Sequence, residues 1–144
     1  HCSFTLAQKN AGREDFTKIP GGLPGVETRG ELIYSYGVAT KRITEAQMCR
    51  LLCENPARLY GLFPRKGVLQ AGSDADIVVY DPGDSHVIRG SDCVANVDYN
   101  PYEGFVTSGG IRQVWLRGGL AVENGRVLDK EPQGRYMSRG KCSL

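Results

Sequence analysis

Histidine is almost absent from this sequence of 144 residues, which contains only His1 and His86. The two lie far apart, and neither an HxH nor an HExxH pattern occurs. They cannot by themselves supply the three or four ligands that a zinc ion usually takes in proteins. We therefore expect neither a metal site nor a catalytic residue from this chain alone, and we interpret His86 as a structural or surface residue rather than a functional one.

Long apolar runs and an excess of one charge are missing as well. No apolar stretch approaches the roughly 18 residues of a transmembrane helix, and the first ten residues lack the basic head and apolar stretch of a secretory signal. Lysine and arginine total 18 against 16 aspartates and glutamates, and they are scattered along the chain. Because phosphate binding needs concentrated positive charge, we expect neither a nucleic-acid partner nor a membrane partner.

The cysteines do not form the pattern of a disulfide framework. There are five, an odd number, and they are widely spread, unlike the paired spacings of small secreted domains. Reduced thiols in a cytoplasmic protein are the expected state. Cys49 and Cys53 stand four residues apart among apolar neighbours, and we interpret them as buried free thiols, with a metal or redox pair as the alternative.

What the sequence does contain is an ordinary globular composition, with 40% hydrophobic and 24% charged residues. These values are typical of a soluble single domain. The character of the chain changes near residue 64. Before that point, the glycines and prolines of residues 12–25 predict a long irregular loop of the kind that often carries function. Apolar spacing then predicts a helix over residues 26–36 that ends at Gly37.

Two further helices are predicted before residue 64. Thr44 followed three residues later by Gln47 is a capping box, in which the two side chains satisfy otherwise unpaired backbone donors. The Asn55-Pro56 pair restarts the helical pattern, with asparagine as the cap and proline at the first helical position. Two short consecutive helices are therefore expected here.

Short β-rich runs separated by glycine, aspartate and proline follow residue 64. Asn124-Gly125 between two such runs is a strong hairpin signal, because both central residues of the favoured turn need positive φ. The pattern predicts a mixed α/β chain with an antiparallel meander in its second half. The expected strands cover residues 68–70, 75–80, 86–88, 111–117, 120–122 and 126–128.

Acidic and glycine pairs are the remaining candidates for chemistry. The pairs Asp74/Asp76 and Glu14/Asp15 suit acid-base work, but a turn cap at Asp74 and a strand-edge carboxylate at Asp76 are the simpler interpretation. The Gly21-Gly22 and Gly109-Gly110 pairs lack the spacing and the following helix that would cradle a phosphate. Composition and spacing alone therefore indicate no complete active site.

Three stretches of the sequence closely resemble the C-terminal third of the hydantoinase and dihydropyrimidinase family of cyclic amidohydrolases. They are HCSFTLAQKNAGREDFTKIPGGLPGVETR at 1–29, ENPARLYGLFPRKGVLQAGSDADIVVYDP at 54–82 and VDYNPYEG at 97–104. The second stretch is shared with the wider amidohydrolase superfamily. The FTKIP loop and its PGVE continuation are narrower and select the hydantoinase branch.

The resemblance implies a fold that this chain contains only in part. Family members are (β/α)8 TIM-barrel metallo-hydrolases with a smaller β-sandwich beside the barrel, and a barrel takes about 250 residues. Residues 1–62 would then be the substrate loop and helices after the eighth barrel strand, and residues 63–144 the last sandwich strands and a tail. We expect the tail to cross the surface or a subunit contact. A chain that opens at His1 rather than methionine agrees with a C-terminal fragment.

The resemblance also implies an activity and a cofactor. The family opens hydantoins and dihydropyrimidines at a centre of two zinc ions, and its members form homotetramers. Its metal ligands are an HxH pair, a carboxylated lysine, two further histidines and an aspartate directly before the His-Cys pair. None of these motifs lies in this sequence. We therefore expect this chain to be inactive on its own, as part of a longer zinc enzyme.

One binding position does carry over from the family. The residue after Ile-Pro in the FTKIP loop, commonly asparagine, offers its backbone carbonyl to the ring N–H of the substrate, and here that residue is Gly21. A contact made by backbone survives the change to glycine, but glycine makes the loop more flexible. Gly21 is thus the one substrate-binding residue expected in this chain.

Two other functions are considered beside the enzyme. Neuronal relatives keep the family fold without its metal ligands and act as assembly proteins, and the residues upstream of His1 would distinguish them from enzymes. An independent β-rich interaction module is the third alternative. The FTKIPGG sequence favours the enzyme.

Overall fold

The computed structural model describes residues 3–128, 131 and 134–143. Within these ranges, short helices occupy the first part of the chain and one antiparallel sheet occupies the second. This arrangement confirms the expected mixture of helix and sheet. No helix in the described ranges combines the length and hydropathy needed to cross a membrane.

The first helix, α1 at Leu6–Asn10, lies where the sequence patterns predicted no element. It begins at a capping box, because Thr5 Oγ1 accepts a hydrogen bond from the Gln8 amide at 3.3 Å and Gln8 Oε1 accepts one from the Thr5 amide at 2.8 Å. The predicted irregular loop at 12–25 contains one short 3-10 turn, Phe16–Lys18.

The second helical segment starts later and ends later than expected. It consists of α2 at Arg29–Ile33 and a π-helical turn at Tyr34–Val38. Gly37 therefore lies inside the segment and does not end it. A Cβ at Gly37 would lie 3.1 Å from the Ile43 side chain, so this glycine permits the chain after the helix to fold back closely.

The third helical segment runs without interruption through α3 at Glu45–Cys49, a π-helical turn at Arg50–Glu54 and α4 at Asn55–Leu59. The capping box at Thr44 and Gln47 is confirmed. The expectation that Asn55 caps a separate helix is wrong, because its φ of −60° and ψ of −46° are helical and its amide bonds to the Arg50 carbonyl. The Asn55 amide bonds to the carbonyl five residues before it, as in a π-helical turn. The helix can therefore continue through Pro56, which has no N–H to donate.

The sheet has four antiparallel strands in the order in which they occur along the chain. Two-residue turns join the last three strands. Arg117 and Gly118 have φ of 49° and 83°, and Asn124 and Gly125 have φ of 48° and 76°. Positive φ at both central residues is the geometry expected of the Asn-Gly hairpin, which is confirmed. The strands are β1 at Ile77–Asp81, β2 at Gly110–Leu116, β3 at Gly119–Glu123 and β4 at Arg126–Val127.

Two predicted strands do not form. Residues 68–70 are irregular because they lie inside a closed loop, in which Ser73 Oγ donates to the Pro64 carbonyl at 2.7 Å and the Asp74 amide donates to the Arg65 carbonyl at 2.9 Å. Residues 86–88 make only an isolated bridge, between Val87 and Val106.

The tail returns to the helical part of its own chain. The Gly140 amide donates to the Gly61 carbonyl at 2.7 Å, and the Ser143 amide donates to the Arg58 carbonyl at 3.1 Å. Gly61 follows α4, and the Arg58 carbonyl also accepts from the Gly61 amide at 3.2 Å, so these bonds attach the tail to the end of the third helical segment. Residues 140–143 thus lie against the end of the third helical segment, and the expectation of a surface or subunit contact stays a prediction.

Few side chains are fully buried in the described residues. Ala57 and Ile88 are the buried apolar ones, and the buried polar ones are Thr28, Ser35, Asn100 and Thr107. Many large apolar side chains remain exposed, among them Phe16 at 82% and Leu69 at 71%. The described residues therefore contain no extensive core of buried apolar side chains.

Close packing of Gly67 against the third helical segment gives a testable prediction. A Cβ there would lie 2.6 Å from the Ala57 Cβ and 2.8 Å from the Cys53 carbonyl, whereas a Cβ at Gly72 meets no atom within 4 Å. Both glycines have left-handed backbones, at 89° and 92°. Gly72→Ala should cost only the conformational penalty of about 1–2 kcal/mol, and Gly67→Ala about 1–3 kcal/mol more through overpacking.

Urea denaturation midpoints of the two variants and the parent, each in the full-length protein, measure this difference. Both substitutions place alanine in a left-handed backbone. The difference between the stabilities of the two variants therefore measures the cost of the close contacts at residue 67. Equal midpoints would contradict the close approach of residue 67 to the helix.

Candidate substrate-binding loop

The loop that carries the predicted binding residue follows the 3-10 turn at Phe16–Lys18. Gly21 is exposed, and a Cβ there would meet no atom within 4 Å. Its backbone is not left-handed, in contrast to Gly22 with φ of 117°. No described residue donates a hydrogen bond to the Gly21 carbonyl. The geometry therefore leaves this carbonyl available to a ligand.

The loop is held from within by short-range contacts. The Asp15 carboxylate accepts hydrogen bonds from Thr17 Oγ1 at 2.6 Å and from the Thr17 amide at 3.1 Å. These bonds, with a further contribution from Lys18, lower the pKa of Asp15. Asp15 thus caps the 3-10 turn, and this geometry favours a structural role over the acid-base alternative. Its neighbour Glu14 is exposed.

The end of α1 approaches the loop from one side. A Cβ at Gly12 would lie 2.5 Å from Ile19 Cγ1 and 2.6 Å from the Ile19 amide nitrogen, so only glycine permits this approach. Lys9 Nζ donates a hydrogen bond to the Pro20 carbonyl at 2.5 Å in a partly buried setting. The side chain of Lys9 also lies over the Phe4 ring, 5.6 Å from its centroid.

Residues 93–102 hold both ends of the segment that contains the loop. Asp98 Oδ1 accepts from the Leu6 amide at 2.8 Å, at the start of α1. Beyond the loop, the Glu27 carboxylate accepts from the amides of Val94 at 3.1 Å and Ala95 at 3.3 Å. Residues 94–98 therefore contact both flanks of the loop, at Leu6 before it and at Glu27 after it, although about 70 to 90 residues separate these partners in sequence.

His86 belongs to a set of polar contacts that connect the second helical segment to the residues before and at the start of β2, and not to a catalytic group. Its Nε2 lies 3.4 Å from Glu31 Oε2, and its Nδ1 lies 3.1 Å from Thr107 Oγ1. Ser35 Oγ accepts from the Ser108 amide at 2.8 Å, and Glu31 Oε1 accepts from the Ile111 amide at 3.3 Å. This arrangement supports the structural interpretation of His86.

Tyr80 joins the same polar contacts from β1. Its hydroxyl donates to the Ser108 carbonyl at 3.1 Å. Burial, followed by the negative charge of Glu31, raises the pKa of Tyr80 to about 12. A Cβ at Gly109 would lie 2.5 Å from the Tyr80 ring. The Gly109-Gly110 pair therefore serves close packing, as the lack of a phosphate-binding pattern indicated.

Asp74 and Asp76 converge on one lysine. Lys66 Nζ lies 3.0 Å from Asp74 Oδ2 and also bonds to Asp76 Oδ2. Asp76 Oδ1 accepts from the Arg117 amide at 2.9 Å, which ties the loop before β1 to the turn between β2 and β3. The bond from Lys66 lowers the pKa of Asp74. Both carboxylates are engaged in these contacts, so the geometry favours structure over acid-base chemistry.

The two helical cysteines are free, as expected, but they are exposed and not buried. The expectation of burial was wrong. Apolar spacing shows that one face of the helix is apolar, but no described element packs over that face at Cys49 and Cys53. Partial burial, with a smaller effect from Cys49, raises the pKa of Cys53. His1 and Cys2 lie outside the described residues. Among those described, no three His, Cys, Asp or Glu side chains are grouped so as to bind a metal.

Comparison with known proteins gives the family. The sequence profile described as "Amidohydrolase family" matches residues 25–127. The chain belongs to the amidohydrolase family. It is 42% identical over 140 residues to a D-phenylhydantoinase of Escherichia coli, covering 96% of this chain and 30% of the relative. The resemblance to hydantoinases that residues 1–29, 54–82 and 97–104 indicated is confirmed.

Solved structures agree with this assignment. D-hydantoinase from a Bacillus sp. AR9 matches all of this chain with a TM-score of 0.93 and 39% identity, and dihydropyrimidinase from Brevibacillus agri does so with a TM-score of 0.94. L-hydantoinase from Arthrobacter aurescens matches 86% of the chain with a TM-score of 0.81. The chain spans only 32%, 32% and 28% of these structures.

The contact of Lys66 with two carboxylates gives a pH prediction for this amidohydrolase chain. Because the pKa of Asp74 is lower in the folded state, its contribution to stability is complete above its unfolded pKa of about 4 and is lost as pH falls below that value. Lys66→Met should destabilise the protein at pH 7 and reduce the loss of stability between pH 5 and pH 3.

Lys141→Met is the matched control, because it removes the same charge from an exposed side chain of the tail. Urea midpoints of the full-length protein and its variants at pH 7, 5 and 3 make the comparison. The same pH profile in the parent and in Lys66→Met would contradict a stabilising role for this contact.

Proposed function

We propose that this chain is the C-terminal portion of a zinc-dependent hydrolase that opens cyclic amides such as hydantoins and dihydropyrimidines. The observation that carries the proposal is the FTKIPGG loop, which leaves the Gly21 carbonyl exposed and unpaired among the described residues. Relatives named as hydantoinases and a dihydropyrimidinase support it. A non-catalytic assembly protein gains no support from these relatives.

The proposed architecture follows the family. Residues 1–62 would complete a (β/α)8 barrel and residues 63–144 would supply β-sandwich strands and the tail. The helices before Leu59 and the meander from Ile77 onward are consistent with this division. By the same resemblance, the whole protein would be a cytoplasmic homotetramer.

The described residues do not themselves fit a binuclear zinc centre, since they contain no suitable group of His, Cys, Asp or Glu side chains. The proposal therefore assigns every zinc ligand to parts of the longer protein outside these residues. The task of this chain in the reaction is binding. The Gly21 carbonyl would accept a hydrogen bond from a ring N–H and so orient the cyclic amide for hydrolysis.

The division of labour between this chain and the rest of the enzyme is testable. The isolated 144-residue chain should bind no stoichiometric zinc after dialysis and should not open a hydantoin ring. It should also bind a hydrophobic dye or self-associate, because large apolar side chains such as Phe16 and Leu69 are exposed. Two tightly bound zinc ions, measurable turnover, or a cooperative monomeric melt without dye binding would contradict the fragment proposal.

Substitutions at Gly21 in the full-length protein test the binding role. Gly21→Ala should keep kcat/KM for a hydantoin within about twofold, because a Cβ there meets no atom within 4 Å and the backbone is not left-handed. Gly21→Pro fixes φ near −65° and also restricts Pro20. It should turn the carbonyl away and lower kcat/KM by about threefold to tenfold or more, the value of one neutral hydrogen bond.

Zinc content measured on the same samples shows whether the metal centre is intact. An unchanged kcat/KM in Gly21→Pro would remove Gly21 from the substrate site. A loss of equal size in Gly21→Ala would show that flexibility matters, and not the direction of the carbonyl.

A further inference from the structure

Glycine at position 21 leaves the direction of the proposed binding carbonyl poorly determined by its own residue. The carbonyl of residue 20 and the amide of residue 21 form one rigid peptide plane. Only the φ and ψ of Gly21 separate that plane from the Gly21 carbonyl, and glycine restricts both angles weakly. A bond that fixes the preceding plane therefore sets the reference from which these two angles are measured, and so it bears on the direction of the proposed binding carbonyl.

Lys9 fixes that plane. Its ammonium group donates to the Pro20 carbonyl across eleven residues of sequence, in a partly buried setting. A hydrogen bond from a charged donor is about twice as strong as one between neutral groups. The position of the ammonium over the Phe4 ring adds a second constraint on the long side chain.

Helix α1, which carries Lys9, is itself held in place. The capping box of Thr5 and Gln8 closes the first turn of α1. Asp98 accepts from the Leu6 amide at 2.8 Å, which ties α1 to the VDYNPYEG stretch. Gly12 lets the end of α1 approach Ile19 closely. The helix that carries Lys9 and the loop that it contacts thus keep a set distance.

We propose that Lys9 is a positioning residue that sets the direction of the Gly21 carbonyl for the ring N–H of the substrate. The inference rests on the proposed function. Lys9 does not touch the substrate and acts only through the peptide plane between Pro20 and Gly21. Loss of its ammonium should therefore weaken substrate binding more than it slows the chemical step.

The experiment compares Lys9→Met, Lys9→Arg and the control Lys141→Met in the full-length, zinc-loaded protein, with a hydantoin as substrate. Lys9→Met should raise KM by about threefold to tenfold, the value of one hydrogen bond, with a smaller change in kcat. Lys9→Arg keeps a charged donor and should recover most of the loss. Lys141→Met removes the same charge elsewhere and should resemble the parent. If Lys9→Met does not fold, Lys9→Gln replaces it, because the shorter neutral amide loses both reach and charge.

The outcomes distinguish a failure of the inference about Lys9 from a failure of the proposed function. An active parent whose KM is unchanged in the Lys9 variants overturns the inference alone. A fall in kcat and melting temperature without a rise in KM, or without recovery in Lys9→Arg, shows a merely structural role and also overturns it. An inactive parent with its full zinc content overturns the proposed function, and the inference with it.

Discussion

Hydrogen bonds from side chains to backbone amides are the constraint on which the described structure depends. Few apolar residues in the described ranges are buried, among them Ala57 and Ile88, so the positions of the helices against the sheet depend strongly on polar contacts. Asp98, Glu27, Glu31 and Ser35 each accept from amides that are distant in sequence. Because hydrogen bonds are directional, they set register and orientation where non-directional apolar contact would permit sliding. Two of these residues, Asp98 and Glu27, hold the flanks of the candidate substrate-binding loop.

The sequence predicted those elements whose signals are local. The Thr44 capping box and the Asn124-Gly125 turn are complete within four residues, and both formed as expected. Helix α1 was missed, although Thr5 and Gln8 repeat the same capping signature, because only a short helix with little apolar periodicity follows it. Residues 68–70 were read as a strand because of their apolar content, but Gly67 turns the chain tightly over α4 before any strand can pair. Local sequence signals predicted whether a segment formed a helix or a turn. They could not predict which segments pair as strands, because pairing depends on residues distant in sequence.

The proposed binding position, Gly21, could be predicted only through family resemblance, and physical reasons explain why. A search for chemistry in a sequence looks for acids, bases and metal ligands, whereas Gly21 offers nothing except a backbone carbonyl that every residue possesses. The side chains that such a search did find have other roles. Asp74 and Asp76 bind Lys66, and His86 contacts Glu31 and Thr107. The expectation of buried thiols at Cys49 and Cys53 failed for a related reason, since spacing indicates that a face is apolar but not what covers it.

When a backbone carbonyl binds the ligand, neighbouring residues must fix the direction of that carbonyl. A side-chain ligand is oriented by its own rotamer, but a carbonyl is oriented by the two peptide planes beside it. In this loop the plane before Gly21 is bonded to Lys9, and the chain after it turns at Gly22 with φ of 117°. Lys9 in turn stands on a helix that Asp98 holds from the second half of the chain. If Lys9 has the proposed role, the VDYNPYEG stretch, which contains no group proposed to contact substrate, influences the direction of the Gly21 carbonyl through two successive hydrogen bonds, from the Leu6 amide to Asp98 and from Lys9 to the Pro20 carbonyl.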